Sequence, residues 1–226
     1  MTWLDAHPTL VRQGMGVAVV SVWLTLLALA AVAVRQRWSG QQEWSRKLVH
    51  IGGGAVVPLA WVFGIDRWLA LSAAALVTLL AAINHRQRVL PAIEDVGRHS
   101  FGTVAYGLSI TLLLAWLWPQ RADAACAGVL VMALGDGLAG LVGPQVASPS
   151  WQVLGERRSL VGTGTMAVAS LTVLLLLAVV TQPAAPGPLL LLVVAGVATA
   201  LEQVAVLGID NLTVPLAVAA LWRFSC

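Results

Sequence analysis

Long apolar runs separated by short polar connections set the pattern of this chain. The runs cover residues 14–34, 48–65, 68–83, 101–118, 124–143, 160–181 and 189–207. A bilayer core takes about 20 apolar residues per helix, with roughly 17–25 common. Each run therefore predicts a membrane-crossing helix, the third being short for one. A last run, 212–222, is shorter still and contains Pro215, so it reads as a tilted or half-inserted helix. Trp61, Trp68, Trp116, Trp118 and Trp222 fall near predicted ends, where indole rings anchor at the membrane interface. The Pro/Ala/Gly-rich segment 182–188 reads as a turn. The expected fold is all-α: one integral membrane domain over 1–226, a polytopic bundle of about seven helices plus a short C-terminal segment.

Composition agrees. The chain has 226 residues, of which 59% are hydrophobic and 10% charged. A soluble domain carries about 25% charge, so water is not the main solvent here. The net charge of +3 is small, and no basic run alternates with aromatics in an exposed segment, so no nucleic-acid partner is expected. Cys126 lies in an apolar run and Cys226 is the last residue; neither reads as a disulfide partner or a metal ligand. The first run ends in Ala31-Val32-Ala33, which is similar to a leader cleavage site. It is longer than the roughly 7–15 residues of a leader's apolar core and stops at Arg35 and Arg37, so it reads as a retained helix.

The charges give the bundle a direction. Arg35, Arg37, Arg46 and Lys47 flank the first connection, Arg86, Arg88 and Arg98 the third, and Arg157 and Arg158 the fifth. The opposite side has Arg12, Arg67 and Arg121, with Arg223 unassigned. The positive-inside rule places the odd connections in the cytoplasm and the N-terminus outside. His50, Asp136, Glu202 and Asp210 then all fall near the cytoplasmic face.

Four clusters carry candidate chemistry. Asp136 lies in an apolar run, where a carboxylate costs at least about 2.5–3.5 kcal/mol and faces a partner or a water-filled cavity. Gly140 and Gly143 share its helical face and allow close approach of backbone or phosphate. Arg46, Lys47 and His50 share one helical surface, followed by Gly52-Gly53-Gly54; two cations and an imidazole suit phosphate oxygens. The segment from Gly155 to Thr165 is rich in glycine and hydroxyls and opens a helix. Its backbone N–H groups, with Arg157 and Arg158, suit an anion, while Ser159 equally suits an N-cap. It lacks the spacing of a P-loop. Glu202, Asp210 and Asn211 are hard oxygen donors suited to Mg²⁺. Asn84, His85, His99 and Ser100 lie around the third connection and could line the same site; His7 reads as a surface residue.

Taken together, these blocks resemble the CTP-dependent polyprenol kinase family, which includes dolichol and phytol kinases. Arg46-Lys47-x-x-His50, Asp136-x-x-Ala139-x-x-x-Gly143, Arg157-Arg158-Ser159-x-x-Gly162, and Glu202 followed by Asp210-Asn211-Leu212-x-x-Pro215 occur in the family's order over residues 46–215. The small size looks most like the phytol kinase branch. Two departures stand out: Val161 where the family often has a glutamate, and arginines at 157 and 158 where lysines are usual. The resemblance implies a kinase moving the γ-phosphate of a nucleoside triphosphate, CTP, to an isoprenoid alcohol such as phytol or geranylgeraniol in a plasma or thylakoid membrane. It implies Mg²⁺ on Asp136, Asp210 and Asn211. Phosphate would contact Arg46, Lys47, Arg157, Arg158, Ser159, Gly162 and Gly143. Asp136, Glu202 and His50 would be catalytic, with Glu202 or His50 as base. Two rivals are a cytidylyltransferase acting on a lipid phosphate and a small transporter subunit using Asp136 and Glu202. The nearly apolar outer halves of the runs count against the transporter.

Overall fold

The structure is a computed structural model that describes residues 8–38, 40–87, 89, 101–182 and 185–224. His7, Arg88, Arg98, His99, Ser100 and Cys226, weighed above, lie outside these residues, as does part of the 182–188 turn. The helices are α1 (Pro8–Arg37), α2 (Gln42–Gly53), α3 (Val56–Val62), α4 (Arg67–Gln87), α5 (Gly102–Leu117) and α6 (Ala122–Leu130). A π-turn (Val131–Asp136) joins α6 to α7 (Gly137–Val142). A hairpin of β1 (Ser150–Val153) and β2 (Glu156–Ser159) leads to α8 (Leu160–Val180), α9 (Pro188–Val204) and α10 (Asp210–Arg223). Thr9–Arg37, Arg67–Gln87, Ala122–Gln145 and Leu160–Val180 are each long and apolar enough to cross a bilayer.

The chain runs back and forth between two ends. At one end Gln13 donates to the Gly64 carbonyl (2.7 Å) and Trp118 to that of Ile65 (2.9 Å). There too Asp123 accepts from Arg121 (3.1 Å) and Trp222 (2.8 Å), while Arg121 also donates to the Arg223 carbonyl. Arg223, unassigned above, therefore belongs to this end, with Arg12, Arg67 and Arg121. The other end holds the polar residues of the four clusters. The short final run is a helix, α10, that packs into the core: its Val214, Val218, Ala219 and Trp222 are all fully buried.

The central pass is α6–α7. Of its most apolar window 61% is buried, against 11% for α1 and 6% for α4, which face outward. Small residues make this possible: Ala124, Ala125, Cys126, Ala127 and Gly128 let neighbouring backbones come close, as bilayer packing requires. Gly128 lies directly on the Pro215 carbonyl of α10.

One expectation changes. The run 48–65 is not one helix; it breaks between Gly53 and Val56 into α2 and α3. Three successive glycines favour helix poorly. Pro58 has no N–H to give the Gly54 carbonyl four residues back, and it is tolerated only because it sits in the first turn of α3. The all-α expectation holds for the bundle, to which the structure adds an antiparallel hairpin that pairs Trp151 with Arg158 and Gln152 with Arg157.

At Gly128 an added methyl group would overlap the Pro215 carbonyl, and α10 would have to shift. Gly128→Ala is expected to lower the unfolding temperature of the detergent-purified protein, by about 1–3 kcal/mol of overpacking. Gly164→Ala, where nothing lies within 4 Å, should be neutral or slightly stabilising. Equal unfolding temperatures for the two variants would contradict the packing described.

Candidate active site

Asp136 ends the π-turn of the central helix. A π-turn inserts extra backbone into a helix and re-aims the residues after it, and such turns gather at functional sites. Here it leaves the Met132 carbonyl accepting from His50 Nε2 (3.2 Å). A carbonyl can only accept, so Nε2 carries the proton. The same nitrogen lies 3.3 Å from the Asp136 carboxylate. The His50 ring packs on Tyr106, with centroids 4.5 Å apart.

Lys47, one turn before His50, closes the group. Its Nζ donates to Asp136 Oδ2 (2.7 Å) and to the Asp136 carbonyl (3.0 Å). Both side chains are largely buried, at 6% and 13% exposure, so this ion pair is poorly screened by solvent. Gly140 gives Lys47 its path, because a Cβ there would collide with the lysine's outer carbons. Gly143 does similar work against α8: its Cβ would lie 3.1 Å from the Gly162 Cα.

Two further carboxylates reach the same place. Asp136, Glu202 and Asp210 each offer an oxygen, and these atoms lie within 4.8 Å of one another. Three acids so close repel unless cations or donors hold them. Arg158 makes an ion pair with Glu202, whose second oxygen accepts from Gln203 (2.6 Å). Asp210 Oδ1 accepts from the Asn211 backbone N–H (3.0 Å). The Asn211 amide nitrogen donates to the Gly208 carbonyl, and the amide oxygen Oδ1 is buried with no partner.

The hairpin supplies the remaining wall. Arg157 is exposed and donates to Ser150 (3.2 Å), while Arg158 also reaches the Ala205 carbonyl (2.8 Å). Ser159 is the N-cap of α8 and accepts from the Gly162 N–H (3.1 Å). Ser159 is thus seen as a cap, with the Gly162 N–H engaged, and both residues line the cavity. The partly open cavity measures about 650 Å³, within the range of small-molecule sites. Arg46, Lys47, Arg157 and Arg158 line it, together with Glu43, Asp136, Glu156, Glu202 and Asp210.

Two connections at this cavity share a device. Leu154-Gly155 and Leu207-Gly208 each hold two successive positive φ angles, 50° and 88° in the first and 54° and 82° in the second. Both follow a valine, and both are tight turns; in the second, Ile209 N–H donates to the Val206 carbonyl (3.1 Å). Left-handed backbone costs a leucine about 1–2 kcal/mol relative to glycine.

The structure gathers Asp136, Glu202, Asp210, Asn211, Lys47, Arg46, Arg157, Arg158, Ser159, Gly162 and Gly143 around one cavity. His50 stands apart: it touches Asp136 but does not line the cavity. Asn84 and His85 do not line it either; His85 packs on Phe101 at 5.0 Å. Val161 is absent from the lining, whereas Glu43, Glu156 and Gln203 are present. Sequence reasoning missed these three. Glu43 alone left a signal, its i, i+3 spacing to Arg46, with which it forms an ion pair of 2.8 Å.

Comparison with known proteins adds one close relative. The chain is 39% identical over 215 residues to a protein of Synechocystis sp. called phytol kinase, covering 93% of this chain and 91% of the relative. No family model matches the chain, and no solved structure does.

Removing one partner of a buried ion pair strands the other charge. Lys47→Met is therefore expected to destabilise the protein by about 3–5 kcal/mol, read by unfolding in mild detergent. The double variant Lys47→Met/Asp136→Asn should recover much of that loss. Additive losses in the two single variants would show that the pair is not coupled.

Proposed function

The chain belongs to the polyprenol kinase family, phytol kinase included, and from that footing we propose that it moves the γ-phosphate of CTP to the hydroxyl of a membrane isoprenoid alcohol, such as phytol or geranylgeraniol. One observation carries this reading beyond kinship: five carboxylates, three of them clustered, and four cationic side chains gather in one cavity at the end of an otherwise apolar bundle. Phosphoryl transfer asks mainly for positioning and charge neutralisation, and such a cavity can supply both.

The donor set fits Mg²⁺. It is all oxygen, and the buried, unpartnered Asn211 Oδ1 is an acceptor waiting for a cation. Asp136, Asp210 and Asn211 would hold the ion, which when bound would offset the charge on the phosphate oxygens. Lys47 and Arg46 reach the cavity from α2, and Arg157 and Arg158 from the hairpin, so triphosphate lying between them meets cations on two sides. Arginine forks onto two phosphate oxygens at once, which suits the hairpin pair. The alcohol oxygen attacks the γ-phosphorus, the bond to the nucleoside diphosphate breaks, and the hydroxyl proton passes to a base. Glu202 is the candidate, since its carboxylate belongs to the group of three. His50 orients Asp136 from behind and keeps its own N–H on the Met132 carbonyl, so it acts as a positioning residue. The cavity end carries most of the basic residues, which supports a cytoplasmic site open to soluble nucleotide, with both described ends of the chain on the other face.

The test is transfer from γ-labelled CTP to geranylgeraniol in mixed micelles, alongside other nucleotides and prenols. Labelled prenyl phosphate and released CDP are expected; no transfer from any nucleotide to any prenol would overturn the proposal. Pyrophosphate release instead would point to cytidylyl transfer. Asp136→Asn should abolish turnover, and Glu202→Gln should lower kcat by roughly 10²–10⁴. Chelation should stop the reaction and added Mg²⁺ restore it.

A further inference from the structure

Leu207 is out of place by every local criterion. Its φ of 54° suits glycine or asparagine, not leucine. Its side chain is about half exposed, so the core does not need it. Yet it lines the charged cavity beside Asp210 and Asn211. The backbone carbonyl of Leu207 accepts from the Phe101 N–H (3.0 Å), which brings exposed Phe101 to its side. Val204 and Ile209, flanking it in the chain, are exposed as well. Of these exposed apolar residues, Leu207 is the one that stands at the cavity with the acids.

We infer that Leu207 is the seat of the alcohol's first isoprene unit, the carbons next to the reacting hydroxyl. The inference rests on the kinase reading. Of the two reactants, only the alcohol brings apolar surface to the point of reaction. A nucleobase would seek an aromatic face, and no aromatic ring lines the cavity among the described residues. Phe101, Val204 and Ile209 offer the alcohol exposed apolar side chains near the cavity, and Leu207 holds its head beside Asp210. The strained backbone fixes where the leucine points, so its position does not depend on a flexible loop.

The backbone strain makes the test clean. Leu207→Gly and Leu207→Asn both suit a positive φ, so the unfolding temperature should hold or rise. The KM for geranylgeraniol should rise about tenfold, the KM for CTP should stay unchanged, and alanine should not rescue. An unchanged alcohol KM, or a rise in the CTP KM alone, overturns the assignment. A second measurement does not require turnover: a diazirine-bearing geranylgeraniol, photolysed on the wild-type protein and mapped by mass spectrometry. Label within residues 204–211 is expected; label only elsewhere overturns the inference. If the probe labels 204–211 but no prenol is ever phosphorylated, the seat stands and the kinase reading falls.

Discussion

The buried pair between Lys47 and Asp136 organises the molecule. A lone carboxylate inside an apolar helix is expensive, and a lone ammonium equally so. Each is tolerable here because the other is 2.7 Å away, although 89 positions separate them in the chain. That contact fixes α2 against the central pass. Bilayer lipid gives no hydrophobic drive for two apolar helices to associate, so close packing and polar contacts of this kind must hold them. The glycines at 140 and 143 then follow as necessities, since side chains there would push the lysine and α8 away.

The same logic scales up to the cavity. Three acids within 4.8 Å would not stay together unaided. Lys47 takes one and Arg158 another, and backbone and amide donors hold the third. The protein thus holds its own charges in near balance before any ligand arrives. Incoming phosphate and metal would exchange partners with groups already in position, which limits the reorganisation that binding demands. The hairpin belongs to this balance: two strands alone are marginal, and the grip of Arg158 on Glu202 and the Ala205 carbonyl fastens them to α9.

Much of this was legible in the sequence, and the failures have physical causes. Helix positions followed from apolar length alone, because in a bilayer every spanning backbone must satisfy itself as a helix. The residues at the cavity were readable because polar groups in apolar runs need reasons. The break at Gly53–Val56 was hidden because hydropathy is blind to backbone propensity, though the glycines and Pro58 marked it. The hairpin was hidden because its strands are four residues each, too short for alternation to stand out, and its turn uses leucine where glycine or asparagine is the usual sign. His50 was legible only in part. Its spacing to Lys47 was read correctly, but spacing cannot say which side of Asp136 the ring lies on.

The π-turn has a consequence for how one helix serves several neighbours. An extra residue per turn rotates everything beyond it by about 100° about the helix axis. Gly128 before the turn meets α10, Gly135 within it meets Met166 of α8, and Gly140 after it meets Lys47 of α2. The central pass behaves like a camshaft, with each small-residue lobe set at its own angle. Its phase is fixed by residue count and not by side-chain chemistry. A one-residue insertion or deletion here would be a timing error, turning the carboxylate toward lipid while leaving composition and hydropathy almost unchanged.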